Sequence, residues 1–430
     1  MSTGLVDSYS VHLNEMGMAS VIFVAATYTQ VLNKELLYEP LGKLVDEEPM
    51  LRCNVFGEET TSRFFGRVDV DLDKVVFYRP DISSCQELSD LLIPKERYKY
   101  GDEHMPLWKV YVIGKEGVEL AWVYDHSISD GASGVFFHQK LLSKLNKETS
   151  EKKVNEIKMA PSVENAIDVR PSWGFSFQVF YSMLKKKLFG ASGAKTWIGK
   201  PPAVPMESQT ELFDFEPEYA AQLLDYCRKR NITLTALLYA ALLQTLRSII
   251  PEEDQMAYDD LGFSCPVNAR RYIPRFSTEL GNYVFQFTHK APIKDNRTIE
   301  EEAKEILPVL KEATTDPTEI KYVVGLLNYI NIPNRIQEGY KAQSRSGAME
   351  ISNLGSYDFS PKGGKIGISK LVFSQGVNSL TYYTTVSLVG IKNGPISVSI
   401  SVARDDENHS ICKTLRRQLF KRLDMLLHSE

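Results

Sequence analysis

Apolar and polar positions change rhythm repeatedly along this chain, and each change marks an element. Residues 17–30, with Val21, Ile22, Phe23 and Val24 in succession, predict a first strand. Leu36, Leu37, Leu41 and Leu44 then recur at helical spacing across 32–45. Alternation predicts a strand over 64–77, followed by a short helix at 87–92. A strand at 106–113 should pair with 118–124 across the turn Gly114-Lys115-Glu116-Gly117. In the second half, helices are predicted at 217–228 and 231–246, the latter apolar nearly all round and therefore buried. Strands follow at 260–267, 281–287, 349–355, 367–375, 380–389 and 396–402, with helices at 298–313 and 411–427.

Strands and helices interleave in both halves. The fold class is therefore α/β (α+β layered), two lobes that each cover a sheet with helices. The first organised region is 1–146 and the second 206–430. Between them, 147–205 is polar at first and then punctuated by Pro and Gly, as in a segment crossing between domains. Within it, the aromatic and lysine-rich stretch 175–189 has two readings: a helix packed on a domain surface, or an interfacial helix making peripheral membrane contact.

Composition narrows the class. A chain of 430 residues suits two domains, and 43% hydrophobic with 24% charged residues is ordinary for a soluble globular protein. A net charge of −5 without a basic stripe argues against a nucleic-acid partner. The first residues lack a basic start and an apolar run, and no stretch has the ~18–20 apolar residues of a membrane span. The five cysteines are scattered without CxxC spacing, which suggests neither a disulfide framework nor a zinc site. The expectation is a cytoplasmic monomer, with the endoplasmic reticulum or lipid droplets as the surface for any peripheral contact.

The chemistry concentrates in one stretch. The β-prone run Glu119–Asp125 delivers His126, then a tight turn, Asp130, Gly131 and a helix through Leu142. Imidazole as a class titrates near neutrality, so a histidine at a strand end can take a proton from an alcohol or amine. Asp130 at the start of the next helix can cap it and brace the loop. From these residues alone, a core histidine followed by an ordinary N-cap is the competing reading.

Seven segments in order carry a resemblance: Glu48-Pro49-Met50-Leu51-Arg52, Pro106-Leu107-Trp108, His126-Ser127-Ile128-Ser129-Asp130-Gly131, 232–238, Pro266–Arg271, Gly281-Asn282-Tyr283 and Ser352-Asn353-Leu354-Gly355. Together they resemble the HxxxD CoA-dependent acyltransferase superfamily, most of all the fungal alcohol acetyltransferases and their amine-acetylating relatives. The Asp-Phe-Gly-Trp-Gly motif of the plant branch is not found. The resemblance implies two chloramphenicol-acetyltransferase-like domains with an active-site tunnel at their interface. Acetyl-CoA or another acyl-CoA would be cosubstrate, with no metal and no permanently bound cofactor, and the acceptor would be a small or hydrophobic alcohol.

It further implies His126 as general base and Asp130 paired with Arg270, with Arg271 as the alternative partner. Gly131 keeps the loop uncrowded, and Ser352, then Asn353, are the oxyanion candidates, although turn chemistry before Leu354-Gly355 explains both residues as well. Lys362 and Lys365 are candidates for the CoA phosphates, and an exposed hairpin turn explains them equally. Two other functions stay open: N-acetylation of a hydrophobic amine or lipid base, and a non-catalytic scaffold keeping the fold. Carrier-dependent condensation is weakened because Asp125 stands where that branch has a second histidine.

Overall fold

A computed structural model describes residues 1–17, 21–57, 63–148, 159–189, 194–199, 208–316, 318–342, 345–361, 365–376, 381–403 and 410–428. Among these, the first lobe is built on a five-stranded sheet in the order Ile368–Gln375, Val21–Tyr28, Glu119–Asp125, Trp108–Ile113, Val76–Arg79. The two strands expected as a hairpin pair antiparallel, Ile113 opposite Glu119, with Gly114 and Gly117 at positive φ in the turn. Helices Lys34–Glu47 and Gly131–Leu145 cover one face of this sheet, and Trp122 stacks on Phe137 with ring centroids 4.5 Å apart.

The edge strand of this sheet comes from the far end of the chain. Ile368–Gln375 pairs antiparallel with Val21–Tyr28, so the two lobes share a strand. The second sheet runs Val284–Pro292, Asp260–Asn268, Gly347–Tyr357, Tyr382–Ile391, Ile396–Ala403, Ser208–Phe215. The helix Leu234–Ile249 lies buried between this sheet and the helices Ile299–Thr315 and Ile411–Leu427, as its all-round apolar character requires.

Several elements differ from expectation. The single strand predicted over 64–77 is broken into Phe64–Arg67, a helical turn Leu72–Val75 and Val76–Arg79. The Asp71 side chain accepts from the Asp73 amide and caps that turn, a local bond that competes with strand pairing. Helices Leu5–Glu15 and Ile332–Lys341 were not predicted, and they contact each other.

The crossing segment forms the helix Trp173–Phe189. Phe175 packs on Tyr322 at 5.2 Å between ring centroids. Trp173, Phe177, Phe180, Tyr181 and Leu184 follow helical spacing on the opposite side, and Trp173 is 94% and Phe177 70% exposed. Among the described residues no single helix is long and apolar enough to cross a membrane.

Candidate active site

The strand Glu119–Asp125 ends by placing His126 at the wall of a cavity of about 420 Å³ between the lobes. One side of this cavity is Asp130, Gly131 and Ala132 of the first lobe, and the other includes Thr235, Val284, Ser352 and Asn353 of the second. The His126 ring is fixed by Nδ1, 3.0 Å from the Ser129 carbonyl. A carbonyl only accepts, so Nδ1 carries the hydrogen and Nε2 is the nitrogen with a free lone pair. The backbone carbonyl of His126 accepts from the side-chain amide of Asn282 at 3.0 Å, which ties the loop to the opposite lobe.

Asp125, one residue earlier, faces the other way, as alternation along a strand requires. Its buried carboxylate accepts from Asn14 at 2.6 Å, from Tyr100 and from the Ser127 amide at 2.8 Å. Burial raises its pKa, partly opposed by those donors.

Asp130 is almost fully buried and N-caps the helix Gly131–Leu145 through the Ser133 amide at 2.9 Å. Its other oxygen accepts from Arg270 Nη1 at 2.7 Å and the Tyr283 amide at 2.9 Å. Arg270, not Arg271, is the partner, and all five of its N–H groups have acceptors: the Glu279 and Gly281 carbonyls, Ser133 Oγ, Asn268 Oδ1 and Asp130 itself. Burial alone would raise the Asp130 pKa, but the Arg270 charge and these bonds outweigh it and hold the group below the ordinary carboxylate range.

Gly131 and Gly134 are small because other chains pass close. A Cβ on Gly131 would sit 2.8 Å from Phe373 of the shared strand and 2.9 Å from Leu354, and one on Gly134 would fall on Val24. Ser352 lines the cavity. Asn353 lines it too, but its amide is engaged, donating to Thr235 at 3.0 Å and accepting from the Gly355 amide at 2.8 Å. Lys365 pairs with Glu148 at 3.3 Å and is not among the lining residues, whereas Lys362 lies outside the described residues.

Cations on the cavity wall come instead from Arg271 and Lys311. Lys311 sits on the charged helix Ile299–Thr315, where sequence offers nothing to separate it from its neighbours. Glu350 also lines the cavity. It had a legible signal, a lone acid inside the apolar run Ala348-Met349-Glu350-Ile351. Among the described residues no group of three or more His, Cys, Asp or Glu is arranged to hold a metal ion.

His138, one helix later, shows what a structural histidine looks like. It is fully buried, its Nε2 donates to the Val24 carbonyl at 2.9 Å, and Nδ1 accepts from Tyr28 at 3.0 Å. Burial lowers its pKa to about 4. A histidine kept neutral in the fold contributes stability above its unfolded pKa near 6.5, and that contribution is lost as pH falls toward 4. H138Q, whose amide offers the same donor and acceptor, should therefore lose less stability over that window, by on the order of 3 kcal/mol. Urea denaturation of both proteins at pH 7 and pH 4 measures the difference, and parallel pH profiles would refute it.

The family model described as "Alcohol acetyltransferase" matches residues 72–422. An uncharacterised protein of Schizosaccharomyces pombe is 27% identical, covering 98% of this chain and 96% of its own. The N-acetyltransferase SLI1 of Saccharomyces cerevisiae is 21% identical over 82% of this chain and 84% of its own. Among solved structures, the TRI3 trichothecene 15-O-acetyltransferase of Fusarium sporotrichioides superposes with a TM-score of 0.73 at 11% identity, over 99% of this chain and 94% of that one. The two-lobed, chloramphenicol-acetyltransferase-like fold is shared.

Proposed function

We propose that this chain, which belongs to the alcohol acetyltransferase family, carries an acyl group from acyl-CoA to the hydroxyl or amine of a small apolar acceptor, with His126 taking the acceptor's proton. The protein is an acyltransferase; the acceptor, the acetyl donor and the base are the finer reading. One observation carries that reading: Nδ1 of His126 is committed to the Ser129 carbonyl, so the ring that lines the interlobe cavity has Nε2 as its basic nitrogen. The similarity to a 15-O-acetyltransferase and to an N-acetyltransferase supports both acceptor chemistries.

In the proposed sequence Nε2 removes the acceptor proton as oxygen or nitrogen attacks the thioester carbonyl. The tetrahedral oxyanion is met by the Ser352 hydroxyl, favoured over Asn353 because the Asn353 amide already serves Thr235 and Gly355. Collapse breaks the carbon–sulfur bond, and the departing thiolate takes the proton back from the imidazolium. Asp130 moves no proton; its donors are Ser133, Arg270 and Tyr283. The test is release of free thiol from acetyl-CoA across a panel of alcohols and amines. Absence of acceptor-dependent release throughout the panel would defeat the reading.

The exposed aromatic stripe of Trp173–Phe189 supports a peripheral place on a membrane. Trp173, Phe177 and Phe180 would enter the headgroup boundary, with exposed Lys185 further along the helix for anionic phosphates. The protein should float with vesicles containing phosphatidylserine, and F177E/F180E should reduce the bound fraction at least about tenfold. Equal flotation of the two proteins would remove this contact.

A further inference from the structure

The cavity wall holds an anionic group that the proposed proton transfer does not use. Glu350 stands two residues before Ser352 on the strand Gly347–Tyr357, so both side chains leave the same face, and both line the cavity with His126. Oε2 accepts from Nε2 of Gln286 and Oε1 from Nε2 of Gln375, each at 2.7 Å. Gln286 belongs to the second sheet, whereas Gln375 ends the strand shared with the first. The carboxylate is therefore set from both sides of the lobe interface.

Two amides orient this carboxylate but bring no positive charge. Among the described residues none forms an ion pair with Glu350, and burial pushes its carboxyl up to about 7 against the lowering effect of the two glutamines. A merely structural bridge between two glutamines needs no acid, since a neutral amide or hydroxyl would avoid the cost of an uncompensated charge. Among the described residues each oxygen accepts one bond and has room for another donor. The same cavity is walled by Val284, Phe287, Leu307 and Leu310, which suit a hydrocarbon body.

We propose that Glu350 is the subsite for the ammonium group of an apolar aliphatic amine, and that such an amine is the acceptor, an inference that rests on the acyl-transfer reading above. The proton balance fits this division. An ammonium has no lone pair and must lose two protons on becoming an amide nitrogen, whereas an alcohol loses one. Glu350 accepts the first and later releases it to solvent. The free amine attacks the thioester carbonyl, forming the carbon–nitrogen bond, and His126 takes the second proton. Cleavage of the carbon–sulfur bond gives thiolate, which recovers that proton from His126. The products are amide, free CoA and one proton in solution.

The experiment uses the full chain with acetyl-CoA and a matched pair, octylamine and octanol. In wild type, kcat/KM for the amine should exceed that for the alcohol, and E350Q should lower the amine-to-alcohol ratio at least about tenfold. The amine rate should also rise more steeply with pH through about 7 than the octanol rate, and E350Q should lose that difference. Octylamine should raise the melting temperature of wild type and not of E350Q, a binding readout that does not depend on turnover; E350L repeats the comparison should E350Q fold poorly. Thiol release that persists in H126A overturns the His126 base beneath the proposal, and absence of acceptor-dependent release in wild type overturns the acyl-transfer reading itself. Release that requires His126 but keeps the same ratio in E350Q, or equal octylamine shifts in both proteins, overturns the amine subsite alone.

Discussion

Replacing His126 with alanine should lower acyl transfer by about 10²–10⁴-fold while the protein stays folded, because general-base help is worth that much in a positioned site. The two halves of this expectation have separate structural causes. The ring lines the cavity and among the described residues makes one hydrogen bond, to Ser129, so few contacts are lost with it. The backbone bond that anchors the loop, from Asn282 to the His126 carbonyl, does not involve the side chain and survives. What disappears is Nε2, the nitrogen proposed to accept the proton. Initial rates of thiol release from acetyl-CoA, with a urea unfolding curve for each protein, separate the two effects. An H126A variant that keeps more than a tenth of the wild-type rate would rule out the base. A variant that loses rate and fold together would show that the histidine is structural, as His138 is.

The loop bearing His126 was legible in sequence because its signals are local. A β-branched and aromatic run, a turn, an N-capping Asp130 and small residues opening a helix all fall between Glu119 and Gly134 and agree with one another. Elements with equally local signatures, such as the buried helix Leu234–Ile249 and its Thr233 cap, were legible for the same reason. Arg270 came through the resemblance, and the structure gives the reason for its pairing: the short helical turn Ala269–Tyr272 points it inward and leaves Arg271 at the cavity wall, donating to the Thr314 carbonyl.

What escaped the sequence is non-local. The strand Ile368–Gln375 looks like any other alternating strand, and nothing in its residues says that it pairs across some 340 positions with Val21–Tyr28. That pairing places Phe373 against Gly131 and Gln375 against Glu350, so one unforeseen edge contributes to both sides of the site. Lys365 shows the same limit from the other side. A lysine in a Gly-rich turn reads as available for phosphate, and only the structure shows that it pairs with Glu148 and does not line the cavity. Cavity cations are recognisable only once the lobes face each other.

The second large effect should fall on stability and come from Asp130. In D130N the amide cannot satisfy both ends of its site. An oxygen turned toward Ser133 leaves an NH₂ facing Arg270 Nη1 and the Tyr283 amide, donors against a donor, and the opposite orientation sets the NH₂ against the Ser133 amide. Arg270, 2% exposed, then remains buried without its counter-charge. Breaking a buried pair in this way costs about 3–5 kcal/mol, whereas removing both charges costs less. D130N/R270M should therefore be more stable than D130N alone, and the double-mutant cycle should return a coupling well above 1 kcal/mol, the upper range for exposed pairs.

The pH dependence supplies an independent check. The folded pKa of Asp130 lies below its unfolded value, so its contribution is present above the unfolded value, near 3.9, and is lost as pH falls through the folded one. D130N should lack that acid limb, and its stability should run flatter than wild type below about pH 4. Because the pair joins the first-lobe helix to Gly281 and Tyr283 of the second, D130N should also lower kcat by disturbing the cavity walls, without shifting the pH profile of the rate in the way a lost proton carrier would. A D130N protein as stable as wild type at pH 7, or a cycle with no coupling, would mean that the two lobes are held together by something other than this ion pair.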